Sequence, residues 1–263
     1  MSRKLTAAAI QFNIALGEIN ANLNKVEASL RRVAGQGARL AVLPEMWSTG
    51  YDYPQLEQLA TRTPEVVARL VALSSELGMV IVGSLATARN GDIYNTAYVI
   101  DRGAVKGEYS KLHLFSTMRE DRYLASGDTT LVVETSVGKL GMGICYDLRF
   151  PELFRKLALE GAEIFCLPAE WPKPRQEHWR TLVRARAIEN QMFMIATNCC
   201  GVQGKLDFFG MSMLVSAWGE VLAEGGEVDT ELVATFDFAE MEEYRKRINC
   251  FHDRRPEIYG HLP

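Results

Sequence analysis

GMGICYDLRFPE, residues 141–152, is the stretch of this 263-residue chain that decides its fold. Residues 140–144 are apolar or glycine, as in a buried strand, whereas Tyr146, Asp147 and Arg149 are polar and precede Pro151, which suits the first turn of a helix. A sharp strand-to-helix turn lifts a side chain out of the sheet and leaves backbone N–H groups free to bind an oxyanion. The pattern predicts that Cys145 is a nucleophile at a sheet edge. The alternative, usual for an unpaired cysteine, is a small buried hydrophobic residue.

Two further apolar strands end in the same way. Residues 40–43 precede Glu45 in LPEMWSTGY, and residues 104–109 precede Lys111 in YSKLHLF. In isolation each of these two charges would be an ordinary surface group. The carboxyl ends of parallel strands face one crevice, however, so we expect both groups to lie near Cys145. An ammonium can stabilise a thiolate and a later oxyanion, while a carboxylate carries the proton.

Periodicity predicts a helix over residues 19–33 and another that is capped by Thr63 and ends at Gly78. Residues 93–100 and 104–109 are typical of a hairpin, so the sheet must be mixed rather than purely parallel. The other predicted elements are strands over 5–12, 79–82, 164–167, 193–197, 213–215, 221–223 and 232–237, and helices over 151–160, 179–191 and 241–247. Helices that alternate with strands indicate a layered α/β architecture.

The glutamate, lysine and cysteine motifs, in that order, resemble those of the nitrilase superfamily of carbon-nitrogen hydrolases. The resemblance extends from the first strand to FHDRRPEIY at residues 251–259. It is strongest to the omega-amidase branch, through CYDLRFPELFR, PAEWPKPRQEHW and RARAIENQ. The resemblance implies a four-layer α-β-β-α sandwich, which we expect to form one domain over residues 1–263, and it implies a homodimer.

The motifs also suggest a role for each candidate catalytic residue. Glu45 would take the proton of Cys145 and later give it to departing ammonia. Lys111 and the backbone N–H of Tyr146 would form an oxyanion hole. Spacing alone favours a surface loop for Glu120, but the family has a second glutamate ahead of a segment similar to LASGD, and Glu120 matches it. The charged neighbours that could be confused with it are Glu108, Asp121 and Glu134.

The candidate substrate-binding residues are Tyr51, Tyr146, Trp171, Arg149 and Arg175. Trp171 would form an apolar wall, and either arginine could bind a substrate carboxylate in bidentate fashion. The sequence does not choose between the two arginines. We expect Asp147, Arg149, Arg184, Arg186 and Glu189 to form an ion-pair network that braces the catalytic turn.

The resemblance implies hydrolysis of a small linear amide to a carboxylic acid and ammonia through a cysteine thioester. An omega-amidase would act on 2-oxo-dicarboxylate monoamides such as 2-oxoglutaramate. The alternatives are hydrolysis of an aliphatic amide, a nitrile or an N-carbamoyl amine, or a catalytically silent binding protein on the same fold. A different class, a Cys-His hydrolase, would pair Cys145 with His113, His178, His252 or His261.

Composition excludes several other classes. A net charge of -4 gives no electrostatic reason to expect nucleic acid as a partner, and no apolar run approaches a membrane span. Five cysteines, an odd number without paired metal spacing, favour reduced thiols over a disulfide framework or a zinc site. We therefore expect a cytoplasmic enzyme that needs no metal and no cofactor.

Overall fold

The computed structural model describes residues 3–260 and contains two six-stranded mixed sheets. The first sheet, in the order β14-β1-β2-β3-β4-β5, consists of β1 (Lys4–Gln11), β2 (Leu40–Val42), β3 (Val80–Arg89), β4 (Asp92–Asp101), β5 (Ala104–Ser110) and β14 (Thr230–Asp237). The second, in the order β13-β12-β9-β8-β7-β6, consists of β6 (Val132–Thr135), β7 (Gly138–Met142), β8 (Ile164–Ala169), β9 (Phe193–Asn198), β12 (Met213–Val215) and β13 (Val221–Glu224). A separate hairpin pairs β10 (Cys200–Gln203) with β11 (Leu206–Phe209).

The helices among residues 3–260 are α1 (Ile19–Gly35), α2 (Leu56–Ala60), α3 (Thr63–Leu77), α4 (Glu120–Tyr123), α5 (Pro151–Leu159), α6 (Gln176–Asn190), α7 (Phe238–Arg247) and α8 (Pro256–Tyr259). Of these, α1 and α3 cover the outer face of the first sheet. Among residues 3–260, none of these helices has the length and apolar character of a membrane span.

Strand β1 shows how the layers form, because successive side chains of a strand point to opposite faces. Ala7 and Ala9 pack between the two sheets, whereas Ala8 and Ile10 pack in the cluster formed with α1 and α3. The second sheet is covered on its outer face by α5 and α6. The predicted four-layer α-β-β-α sandwich is therefore confirmed.

Helix α3 shows one local prediction that is confirmed and one that is wrong. The helix ends at Leu77, and Gly78 follows it with a φ of 59° in the left-handed region, as predicted. Thr63 does not cap the helix but is its first residue. Its hydroxyl instead donates a hydrogen bond to the carbonyl of Ala86 on β3. The Thr63 hydroxyl, which the local pattern assigns to the helix N-terminus, is thus used for a tertiary contact with β3.

The predicted hairpin is confirmed as β4 and β5. Arg102 and Gly103 connect the two strands with φ angles of 51° and 72°, as a tight hairpin turn requires. Strand β6 and the β10–β11 hairpin are not among the predicted elements. All three strands have four residues, which is too short for a clear periodic pattern.

The strand directions bring several chain segments to one edge of the sandwich. In the first sheet β2 and β3 are parallel, and β5 regains their direction because β4 is antiparallel to both of its neighbours. In the second sheet β7, β8 and β9 are parallel. Residues that directly follow β2, β5, β7 and β8 therefore meet at the carboxyl ends of both sheets.

Candidate active site

Cys145 begins a short 3-10 turn, Cys145–Arg149, after strand β7. Its φ of 46° lies in the left-handed region, which is a strained conformation for a residue with a side chain. Asp147 holds the turn in place, because its carboxylate accepts hydrogen bonds from the Ile144 N–H at 2.8 Å and the Tyr109 hydroxyl at 2.7 Å. Tyr146 N–H belongs to the first turn, where backbone donors have no partner within the helix.

Glu45 follows β2 and accepts hydrogen bonds through both carboxylate oxygens. Its Oε1 accepts from Lys111 Nζ, the Tyr51 hydroxyl and Asn95 Nδ2, each at 2.7 Å. Its Oε2 accepts from the backbone N–H of Glu170 at 2.8 Å. The side chain is completely buried. This carboxylate is thus fixed in one orientation by donors from four segments of the chain.

Lys111, just past β5, lies between two carboxylates. Its Nζ is 2.7 Å from Glu45 and 2.8 Å from Glu120. Glu120 also accepts a hydrogen bond from the Phe115 N–H at 3.1 Å. The side chains of Lys111, Glu45 and Glu120 are at most 1% exposed. We call these three residues the buried trio.

Burial and charge act on the trio in opposite directions. Burial alone would lower the pKa of Lys111, but the charges of Glu120 and Glu45 outweigh it and raise that pKa well above its ordinary value. Burial raises the pKa of Glu120 against the opposing effect of Lys111. The ammonium is therefore retained at neutral pH.

The thiol of Cys145 is protonated in the resting site. Burial, followed by the charge of Glu45, raises the pKa of Cys145 well above its ordinary value, and Lys111 only partly offsets this. The expectation that the ammonium stabilises a thiolate thus does not hold for the resting site. For the thiol to act as a nucleophile a base must remove its proton, and the Glu45 carboxylate, whose charge raises the pKa of the thiol, is the candidate base.

A narrow cleft of about 230 Å³, which includes space open to solvent, leads to Cys145. It is lined by Phe115, Cys145, Tyr146, Arg149, Glu170, Trp171, Pro172 and Arg175. The Arg149 guanidinium lies 4.8 Å from the centre of the Trp171 ring, and that of Arg175 lies 5.4 Å from the centre of the Phe115 ring. Neither arginine forms an ion pair with an acidic side chain within residues 3–260. The cleft therefore presents two cations without an anionic partner.

Four of the five candidate substrate-binding residues line this cleft, and Tyr51 does not. The Tyr51 hydroxyl instead lies 2.7 Å from Glu45 and 3.0 Å from Glu120. It therefore orients the two carboxylates. A direct contact between Tyr51 and the substrate stays a prediction.

The predicted ion-pair network behind the turn is largely wrong. Only Arg186 and Glu189 pair, at 2.9 Å. Arg184 donates to the carbonyl of Gly219 instead. Asp147 serves as an acceptor for backbone and hydroxyl donors, as described above. The charges that the sequence places near each other are drawn to different partners by the tertiary fold.

The charged groups that shift the pKa of the Cys145 thiol are Glu45, Lys111 and Glu120, and no histidine is among them. The four histidines lie elsewhere: His113 beside Asp147, His178 beside Arg149, His252 on the surface and His261 outside the described residues. This arrangement disfavours the Cys-His alternative. Within residues 3–260 there is also no group of three acidic, cysteine or histidine side chains arranged to hold a metal ion.

Two residues of the site were missed at the level of sequence. Glu170 directly follows strand β8, as Glu45 and Cys145 follow theirs, so the strand-end pattern could have identified it. Asn95 donates to Glu45 from the middle of β4, where no local pattern distinguishes it.

Comparison with known proteins agrees with this geometry. The family model described as carbon-nitrogen hydrolase matches residues 6–246. A 2-oxoglutaramate amidase from Bacillus subtilis (strain 168) is 39% identical over 259 residues, which are 97% of this chain and 100% of the relative.

Solved structures match over nearly the whole chain. A carbon-nitrogen hydrolase from Helicobacter pylori G27 has a TM-score of 0.91 at 30% identity, with 97% of each chain covered. An amidase mutant from Nesterenkonia sp. AN1 has a TM-score of 0.87 at 27% identity, with 98% of this chain and 96% of that chain covered. In that structure the acetamide moiety of fluoroacetamide is covalently added at the active-site cysteine.

Proposed function

This chain belongs to the carbon-nitrogen hydrolase family, and we propose that it is an omega-amidase that hydrolyses 2-oxo-dicarboxylate monoamides such as 2-oxoglutaramate. The observation that carries the proposal is the cleft, in which the Cys145 thiol shares its walls with Arg149 and Arg175, two guanidinium groups without an acidic partner among residues 3–260. A guanidinium binds a carboxylate through two parallel hydrogen bonds. A substrate with an amide at one end and a carboxylate at the other fits these groups.

The acylation step uses the thiol and the buried trio. Glu45 takes the proton from Cys145 Sγ as the sulfur attacks the amide carbon, and the carbonyl oxygen becomes an oxyanion. Lys111 Nζ and the N–H of Tyr146 stabilise that oxyanion. Glu45 then gives the proton to the amide nitrogen, the C–N bond breaks, and ammonia leaves a thioester on Cys145.

The deacylation step repeats the proton transfer with water. Glu45 takes a proton from water as the water oxygen attacks the thioester carbon. The C–S bond then breaks, the acid leaves and the Cys145 thiol regains its proton. Glu120 supports both steps because it holds the ammonium of Lys111 at 2.8 Å without itself facing the cleft.

The substrate preference can be measured as ammonia release from 2-oxoglutaramate, butyramide and a short nitrile. We expect kcat/KM on 2-oxoglutaramate to exceed that on butyramide by about ten- to a hundredfold, because a desolvated guanidinium–carboxylate contact favours the acid substrate. Arg149→Gln or Arg175→Gln should reduce this preference, and the larger loss identifies the carboxylate-binding arginine.

Arg180→Gln is the matched control. Arg180 lies on α6, just after Arg175, but pairs with Glu224 outside the cleft. Its substitution should leave the preference unchanged. Equal efficiency of the wild-type enzyme on 2-oxoglutaramate and butyramide would contradict the proposed substrate class while leaving the cysteine chemistry intact.

The proposal includes a cytoplasmic homodimer. The resemblance to the family supports the dimer. The five cysteines, none of which forms a disulfide, support the cytoplasmic location. Sedimentation of the purified protein tests the oligomeric state, and a monomer at micromolar concentration would contradict it.

A further inference from the structure

Glu170 is the strongest unexplained feature of the cleft. It directly follows β8, its side chain is completely buried, and it lines the cleft together with Cys145. Neither of its carboxyl oxygens has a hydrogen-bond partner within residues 3–260. A buried carboxyl group without partners is costly, so its presence beside the nucleophile calls for a ligand that completes its hydrogen bonds.

The backbone around Glu170 is fixed by the catalytic machinery. Its N–H donates to Glu45 Oε2 at 2.8 Å, and the next N–H, that of Trp171, donates to Asn198 Oδ1 at 2.7 Å. The nearby amide of Gln203 acts to lower the pKa of the Glu170 carboxyl, against the effect of burial. The two side chains nevertheless do not meet with hydrogen-bond geometry. The carboxyl is therefore held in position and left with its hydrogen-bonding capacity unused.

The charge state of Glu170 determines what it can bind. Burial, followed by the negative charge of Glu45, raises the pKa of Glu170 well above its ordinary value. Burial thus favours the neutral carboxylic acid over the carboxylate, and the neutral acid can donate one O–H hydrogen bond. This distinguishes it from the other cleft groups, because Arg149 and Arg175 suit a carboxylate whereas Glu170 suits a neutral acceptor.

We propose that Glu170 determines substrate specificity by donating a hydrogen bond to a carbonyl oxygen on the acyl chain, which in a 2-oxo-dicarboxylate monoamide is the 2-oxo group. The inference rests on the proposed function for the identity of that carbonyl. A site whose buried polar group pairs with the substrate discriminates against an analogue that lacks the matching atom, because the group is then left unpaired. Glu170 therefore selects for an oxo group, whereas the arginines select for a carboxylate.

The test compares 2-oxoglutaramate with glutaramate, which has the same length and carboxylate but no 2-oxo group. The measured quantity is the ratio of the two kcat/KM values. We expect this ratio to be about five- to a hundredfold in the wild type, from the cost of one unpaired buried group. Glu170→Val, which cannot donate, should bring the ratio close to one.

Glu170→Gln is the matched variant, because its carboxamide has nearly the same shape and still donates N–H. It should keep the ratio within about threefold of the wild type. As pH rises and Glu170 ionises, the wild-type ratio should fall, whereas that of Glu170→Gln should stay constant. The melting temperature of each variant shows whether it is folded.

Three results would overturn the inference: a wild-type ratio near one, an unchanged ratio in Glu170→Val, or an equal loss on both substrates, as a purely structural role would produce. If Glu170→Val does not fold, the ratio and pH profile of Glu170→Gln still decide. Failure of the proposed function has a different signature, namely equal wild-type efficiency on glutaramate and butyramide. A ratio that depends on residue 170 would support the inference even then.

Discussion

Two groups of ion pairs in this protein use the same chemistry at opposite extremes of burial. In the buried trio, Lys111 lies between Glu45 and Glu120, and no side chain is more than 1% exposed. The other group, which we call the surface network, lies on helices α1 and α3. It consists of Glu27, Arg31, Arg69 and Glu76.

The pKa values of the carboxylates shift in opposite directions in the two groups. Hydrogen bonds from Arg69 and Arg31 lower the pKa of Glu27. Burial raises the pKa of Glu120 although an ammonium lies 2.8 Å away. Water solvates the surface charges, so a nearby cation decides the outcome there, whereas loss of hydration dominates inside the protein. The trio is thus maintained against the cost of lost hydration, which fits the catalytic role that we propose for it.

The largest expected effect tests the role of Cys145, the residue that the trio adjoins. Cys145→Ala should abolish ammonia release, because the sulfur that forms the thioester is gone. The fold should persist, since removal of one buried atom costs only about 0.5–1.5 kcal/mol. Activity assays and thermal melting check both statements.

Thiol labelling provides an independent check of the nucleophile. Iodoacetamide should modify Cys145 before Cys199 and Cys200, which are buried but do not line the cleft. If either of those two reacted first and activity fell with it, Cys145 would not be the nucleophile.

The next effect comes from removing the cation of the trio. Lys111→Met should lower kcat/KM by at least about a hundred- to a thousandfold, because the oxyanion loses its charged donor. It should also destabilise the protein, since two buried carboxylates lose their cation. Lys111→Arg should be a poor catalyst too, because a planar guanidinium does not replace a compact ammonium. Hydrolysis by Lys111→Met at the wild-type rate would remove Lys111 from the mechanism and reopen the histidine alternative.

A smaller effect concerns the pH dependence of stability. Glu170 ionises in the unfolded chain near its ordinary pKa of 4.5, but in the folded protein its pKa is raised well above this value. The folded state therefore holds a proton that the unfolded state has lost, and the free energy of unfolding falls as pH rises above about 4.5. Glutamine does not titrate. Glu170→Gln should therefore melt higher than the wild type at pH 8, and the difference should shrink towards pH 5; a constant difference would contradict burial of the neutral acid.

The smallest effect is expected in the surface network. Arg69→Gln removes the contact with Glu27 but leaves Arg31 beside it. The melting temperature should change by no more than about 2 °C, and salt should reduce the change further, because exposed pairs are screened by water and ions. Ammonia release should be unaffected. A loss of activity in this variant would break the contrast between the two groups.

The sequence by itself identified the candidate nucleophile and two charged residues of the candidate site. Cys145, Glu45 and Lys111 each follow a strand, and the change from apolar to polar residues at a strand end is visible in the sequence within a few residues. The same rule could have identified Glu170 at the end of β8. Glu120 was identified through the family resemblance alone, because its loop has no distinguishing periodicity.

Only the tertiary structure decided how these groups behave. Glu45 and Lys111 are 66 positions apart in sequence, and Glu45 and the Glu170 N–H are 125 apart, yet each pair meets within hydrogen-bond distance. Protonation of Cys145 and Glu170 depends on burial between two sheets and on charges from distant segments. The change from apolar to polar residues at a strand end shows which side chains lie at the edge of a sheet. Their pKa values are shifted by loss of hydration and by charges from distant segments, and both effects arise only once the two sheets have packed.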